Sequence, residues 1–120
     1  MPTLLVAAAG ALGAVVRYRI GLAVGVRGFP WATLGVNVSG CFLLAAVLSG
    51  PAQARWGAAT TAAIAVGLLG GYTTFSTFGY ETFTLLRTDR VGTAAVYAAV
   101  SLCGGVAATA AGYVAGRWFS

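Results

Sequence analysis

The sequence predicts an all-α integral membrane protein built from four transmembrane helices. Hydrophobic residues fill 59% of the 120 positions and charged residues only 8%, too little charge to cover the surface of a soluble domain. Three stretches, Trp31 to Gly50, Trp56 to Tyr80 and Val91 to Gly116, contain no acidic or basic side chain. Each meets the roughly 20 residues a spanning helix needs.

The first helix is predicted over residues 3–26, apolar apart from Arg17 and Arg19. It has neither the basic start nor the cleavage site of a signal peptide, so it reads as a mature span. Gly28-Phe29-Pro30 ends it. The second runs over 31–50 and stops at Gly50-Pro51, the third over 56–86 and stops at Arg87-Thr88-Asp89-Arg90, and the fourth over 92–117. Proline, glycine and charge at these points fit helix termination. Connections this short predict that consecutive helices are antiparallel neighbours, in a single transmembrane domain over residues 1–120 set in the lipid bilayer.

Seven arginines, no lysine, Glu81 and Asp89 complete the charge inventory. The net charge of +5 does not point to nucleic acid, because the arginines are scattered at or near helix ends, where they meet headgroups. Cys41 and Cys103 lie far apart within spans, with no histidine anywhere, and read as small buried hydrophobes. Glycines four apart at Gly21/Gly25, Gly67/Gly71 and Gly112/Gly116 predict close helix approach. Four short helices are not expected to enclose a pathway without a second subunit. Loop and terminal arginines divide as Arg55 and Arg117 on one side, Arg27, Arg87 and Arg90 on the other. So small a bias permits either orientation, including an antiparallel dimer.

Chemistry concentrates in the third span. In Gly70-Gly71-Tyr72-Thr73-Thr74-Phe75-Ser76-Thr77-Phe78, paired glycines followed by threonines and a serine are poor helix formers. Two readings follow from composition. One is a break in mid-membrane whose freed carbonyls coordinate a small hard cation; the other is a kinked helix whose hydroxyls bond back to its own carbonyls. This segment, followed by Glu81, resembles the signature of the Fluc (CrcB) fluoride channel family. Gly13-Ala14-Val15-Val16-Arg17-Tyr18 in the first span and Phe29-Pro30-Trp31-Ala32-Thr33-Leu34-Gly35-Val36-Asn37-Val38-Ser39-Gly40 in the second agree with it. The likeness runs through all four spans in order.

The resemblance implies an antiparallel dual-topology dimer with two fluoride pathways and a third helix broken near its middle. It implies a structural sodium ion at the dimer interface, held by backbone carbonyls that map to Gly70 and Thr73. The pore phenylalanines map to Phe75 and Phe78, the pore asparagine to Asn37, and a polar track on the fourth helix to Tyr97, Ser101 and Thr109. Gly105 stands where the family often has serine. Arg17 resembles a vestibule arginine, with anion attraction and structural pairing both open. Glu81 is expected to stabilise the bend or pair with an arginine.

The same residues suit fluoride on chemical grounds, since a strongly hydrated anion needs donors in place of water. Asn37 offers two amide hydrogens, and Thr33, one turn away, adds a hydroxyl. Ser76 and Thr77 place further hydroxyls beside the two rings. Tyr97, Ser101, Gly105 and Thr109 recur every fourth residue along one helix face. The positive edges of Phe75 and Phe78 can face an anion. No arginine stands among these donors to hold the ion too tightly.

The expected function is a passive, fluoride-selective channel in the bacterial cell (inner) membrane that exports fluoride from the cytoplasm and relieves its toxicity. The chain has no phosphate-binding loop for ATP, and without histidine or a nucleophile–base pair it is not expected to be an enzyme. A proton-coupled exporter of the small multidrug resistance type is a rival, but it needs a carboxylate in the first helix, and none precedes Glu81. A non-conducting subunit that pairs with a homologue is the third possibility.

Overall fold

The computed structural model describes residues 1–119, with residues 52 and 53 described by their backbone only. In chain order the helices are α1 (Pro2–Val24), α2 (Trp31–Ser49), α3 (Ala52–Ala62), a π-helical stretch (Ala63–Leu68), α4 (Leu69–Tyr72), α5 (Phe75–Arg87) and α6 (Val91–Trp118). Four continuous or nearly continuous helical runs are long and apolar enough to cross a membrane: Pro2–Val24, Trp31–Ser49, Ala54–Arg87 and Val91–Trp118. The longest dimension, 49 Å, is close to the ~40–45 Å of a bilayer with its headgroups.

Local chemistry explains where the elements stop. The first helix closes at Val24, short of residue 26, because Gly25 turns to φ 74°, a conformation that glycine adopts without penalty. Arg27 Nε caps that end by donating to the Val24 carbonyl at 2.9 Å. Helix α5 ends with Asp89 at φ 61°. There the Arg90 N–H reaches the Leu85 carbonyl at 2.8 Å and the Asp89 N–H reaches the Leu86 carbonyl at 3.2 Å, the paired bonds of a Schellman cap.

The third span is not one uniform helix. Gly57, at φ 79° and ψ 172°, interrupts its first turns. The π-helical stretch follows, and Thr73 (ψ 158°) and Thr74 (φ −153°, ψ 118°) are extended.

Packing corrects the expectation that consecutive helices are the close neighbours. Helix α1 lies along the third span and α2 along α6, while α1 and α2 touch little. Glycine surfaces dictate this pairing. A methyl group on Gly67 or Gly71 would strike the backbone of Val6 or Gly10, and one on Gly13 would strike the Leu68 carbonyl and Tyr72 amide. Likewise, Gly112 and Gly116 lie against the backbone of Phe42 and Ala46. Such contacts let helices associate in lipid without a hydrophobic driving force. The third glycine pair is different: a methyl group on Gly21 or Gly25 would meet nothing within 4 Å, so they mediate no close approach to another described helix.

Little else is buried. Leu85, Ala94 and Tyr97 form a small core with Phe29, Leu34 and Phe78 packed against it, while Leu4, Val66, Leu102 and Val106 point outward. That distribution suits an apolar solvent.

Gly112→Ala should therefore destabilise the fold by about 1–3 kcal/mol through overpacking. Gly21→Ala should be neutral or stabilising by up to ~1 kcal/mol through helix propensity. Thermal unfolding midpoints in detergent check both.

Candidate functional site

The site is built around the two extended threonines. Extending Thr73 and Thr74 takes the backbone out of its helical hydrogen-bond ladder, and in lipid each orphaned group needs a partner. Asn37 supplies two: its Nδ2–H donates to the Thr74 carbonyl at 3.0 Å, and its Oδ1 accepts from the Thr74 N–H at 2.8 Å. Arg17 Nε donates to the Gly71 carbonyl at 3.2 Å. Thr74 also begins the next helix, its Oγ1 accepting from the Thr77 N–H at 3.2 Å, as an N-cap residue does.

These bonds decide which carbonyls remain available. In a continuous helix the Gly70 carbonyl would accept from the Thr74 N–H and the Thr73 carbonyl from the Thr77 N–H. Both donors are committed elsewhere, to Asn37 and to Thr74 Oγ1. Gly71 and Thr74, by contrast, have their carbonyls engaged by side chains. The Gly70 and Thr73 carbonyls, which the resemblance maps to the cation, are thus among those deprived of their helical donors.

A cavity of about 370 Å³ opens beside this segment, lined by Asn37, Gly70, Thr73, Thr74, Phe75, Phe78 and Ser101 together with apolar neighbours. None of its lining residues is charged. Ser101 Oγ is buried without a hydrogen-bond partner. The Phe75 and Phe78 rings are 5.9 Å apart and tilted by 42°, and Phe75 is 84% exposed, so the described chain covers little of it.

A second cavity of about 570 Å³ holds Arg17, Thr33, Thr77 and Glu81, with Arg27 and Arg90 also on its wall. Thr74 lines both cavities.

The remaining expected residues are placed elsewhere. Tyr97 is fully buried and donates its hydroxyl to Glu81 Oε1 at 3.0 Å. Glu81 therefore takes a tyrosine as partner where an arginine was one expectation. Thr109 Oγ1 bonds back to the Gly105 carbonyl at 2.8 Å, Ser76 is exposed, and neither lines either of these two cavities. Of the two amide hydrogens expected of Asn37, the Thr74 carbonyl engages one side of the Nδ2 group, leaving a single donor for an anion.

Sequence reasoning overlooked Thr74 and Phe29. Thr74 carried a readable signal, a threonine three residues ahead of Thr77 at a helix start. Phe29 carried none; it sits 5.5 Å from Tyr97 and 4.6 Å from Trp31, and with Phe78 5.0 Å from Tyr97 it extends a row of aromatic rings away from Phe75.

A family profile described as CrcB-like protein, Camphor Resistance (CrcB), matches residues 4–113. The chain belongs to the CrcB family. This CrcB-family chain is 44% identical to the Fluoride-specific ion channel FluC 2 of Geobacillus kaustophilus, across 98% of its own length and 94% of the relative's. It is 42% identical to the Fluoride-specific ion channel FluC of Acidobacterium capsulatum, across 98% and 97%. With the Thermus thermophilus channel of the same name it shares 43% identity across 92% and 90%. Membership of a channel family, with four helices able to span a bilayer, makes the CrcB-family chain a multi-pass membrane protein.

Asn37→Asp keeps the side-chain shape but sets an oxygen against the Thr74 carbonyl in place of a donor. It should destabilise the fold by about 1–3 kcal/mol, visible as a lowered unfolding midpoint. An unchanged midpoint would mean that the Asn37–Thr74 pairing does not sustain the interruption.

Proposed function

We propose that this chain is a subunit of a fluoride-selective channel, an antiparallel homodimer in the bacterial cell membrane through which fluoride leaves the cytoplasm passively. The observation that carries the reading is the uncharged cavity where Asn37, the unpartnered Ser101 hydroxyl and the Phe75 and Phe78 rings converge. Donors and ring edges can replace the water around a small anion, and the lack of a fixed cation lets it leave again. Arg17, Arg27 and Arg90 on the adjoining cavity raise the local concentration of anions before entry. The names of the relatives support fluoride as the ion.

The dimer is supported by the exposure of Phe75 and by a cavity that one chain leaves open. A sodium ion at the interface fits the oxygen set: Gly70 and Thr73 carbonyls lack their helical donors, and a hard cation is held by oxygen ligands. Among the described residues no cluster of three or more His, Cys, Asp or Glu could take a metal instead. Two carbonyls from one chain are few for such an ion, and a second copy supplies the same two. When bound, the ion would neutralise these dipoles and tie the two interrupted spans together.

The drive needs no nucleotide. At about 100 mV, inside negative, the potential is worth ~2.3 kcal/mol per charge, or roughly a fifty-fold outward concentration ratio.

Purified chain in liposomes should pass fluoride far faster than chloride. Proton-coupled transport of a cation without fluoride flux would contradict the proposal. Ser101→Ala removes a hydroxyl that has no partner to lose, so it should leave the unfolding midpoint nearly unchanged. It should still slow fluoride efflux roughly tenfold, as loss of one hydrogen bond to a charged group does.

A further inference from the structure

We propose that Arg17 is a positioning residue for the cation site, acting through its hydrogen bond to the Gly71 carbonyl rather than through its charge. The inference rests on the sodium reading above. Gly71 lies between the two residues offered to the cation. Its own helical donor would be the Phe75 N–H, which lies beyond the extended threonines in the first turn of α5. Left alone, this carbonyl would compete with Gly70 for the ion, or draw the backbone into another arrangement to satisfy itself. The Arg17 Nε bond at 3.2 Å withholds it.

The first helix is shaped to deliver that bond. Gly10, Gly13 and Arg17 fall on one face, and Gly10 and Gly13 meet the backbone of the third span, at Gly67 and Gly71 and at Leu68 and Tyr72 respectively. This close approach brings a part-buried guanidinium to the edge of the interruption. A charge within a span is costly and is retained for a partner or a function. The Gly71 carbonyl is the partner. The positive charge itself opposes a neighbouring cation, so charge and hydrogen bond make opposite predictions for sodium binding.

Three substitutions separate them. In Arg17→Gln the amide Nε2 stands the same number of bonds from Cα as the arginine Nε, so the donor is kept and the charge removed. Arg17→Lys keeps the charge but puts a carbon at that position, and Arg17→Met removes both. The readout is the sodium concentration giving half of the maximal rise in unfolding midpoint, at ionic strength held constant with choline.

R17Q should match the parent within about threefold or bind more tightly, while R17K and R17M should need about tenfold more sodium. R17K behaving as the parent while R17Q weakens would show that the donor at the Nε position is not what sustains the site, and would overturn the proposal. So would R17M retaining the parent's response. If R17M is not recovered folded, the R17Q and R17K pair decides the matter. A parent that shows no sodium response at all would instead refute the sodium site, which keeps the two failures distinct.

Discussion

Two hydrogen bonds between the Asn37 side chain and the backbone of Thr74, at 3.0 and 2.8 Å, carry the rest of the structure. A primary amide has one donor edge and one acceptor edge, so it can stand in for a peptide group. Asn37 does so across two helices, satisfying both polar groups of a residue extended between two helices. In lipid each such group would otherwise cost several kcal/mol. Removing the amide leaves the chain two ways out: to close the helix through Thr74, or to abandon the packing of α2 on the third span.

From that pairing the other features follow by elimination. Once the Thr74 N–H is committed, the Gly70 carbonyl has lost its helical donor. Once Thr74 is a cap, its Oγ1 takes the Thr77 N–H, and the Thr73 carbonyl loses its donor too. Arg17 then removes Gly71 from contention. The segment is left with carbonyls that have lost their helical donors, in a cavity whose lining has no acidic side chain. The same segment presents Phe75 and Phe78, together with Gly70 and Thr73, to the cavity shared with Ser101.

Much of this was legible. Hydropathy and punctuation located the helical runs to within a few residues, because twenty apolar residues in a row have few alternatives. The glycine spacing named the close approaches at Gly67/Gly71 and Gly112/Gly116, but also at Gly21/Gly25, which face open space. Spacing records that a surface is smooth and not whether another helix lies on it. Which helices pair was misread for the same reason: short loops constrain direction, whereas backbone contact chooses the neighbour.

At the site, Asn37 was recognisable as a polar residue in a span, but its acceptor lies 37 residues away. No local pattern shows that part of its donor capacity is already spent. Glu81 was read as stabilising the bend or pairing with an arginine; the partner it takes is the Tyr97 hydroxyl, 3.0 Å away on α6, which supplies a donor without adding a charge. The turn at Gly57 went unread because one glycine among alanines leaves the apolar pattern intact.

Asn37 is the only asparagine in the chain, which opens a direct route to the central pairing. Protein carrying ¹³Cγ-asparagine, ¹³C′-glycine and ¹⁵N-threonine, reconstituted in bilayers, can be measured by solid-state dipolar recoupling. One threonine amide, that of Thr74, should lie within hydrogen-bonding range of the Asn37 side-chain carbonyl. The absence of any threonine amide at that range, with the Thr74 nitrogen coupled instead to the Gly70 carbonyl as in a continuous helix, would contradict it.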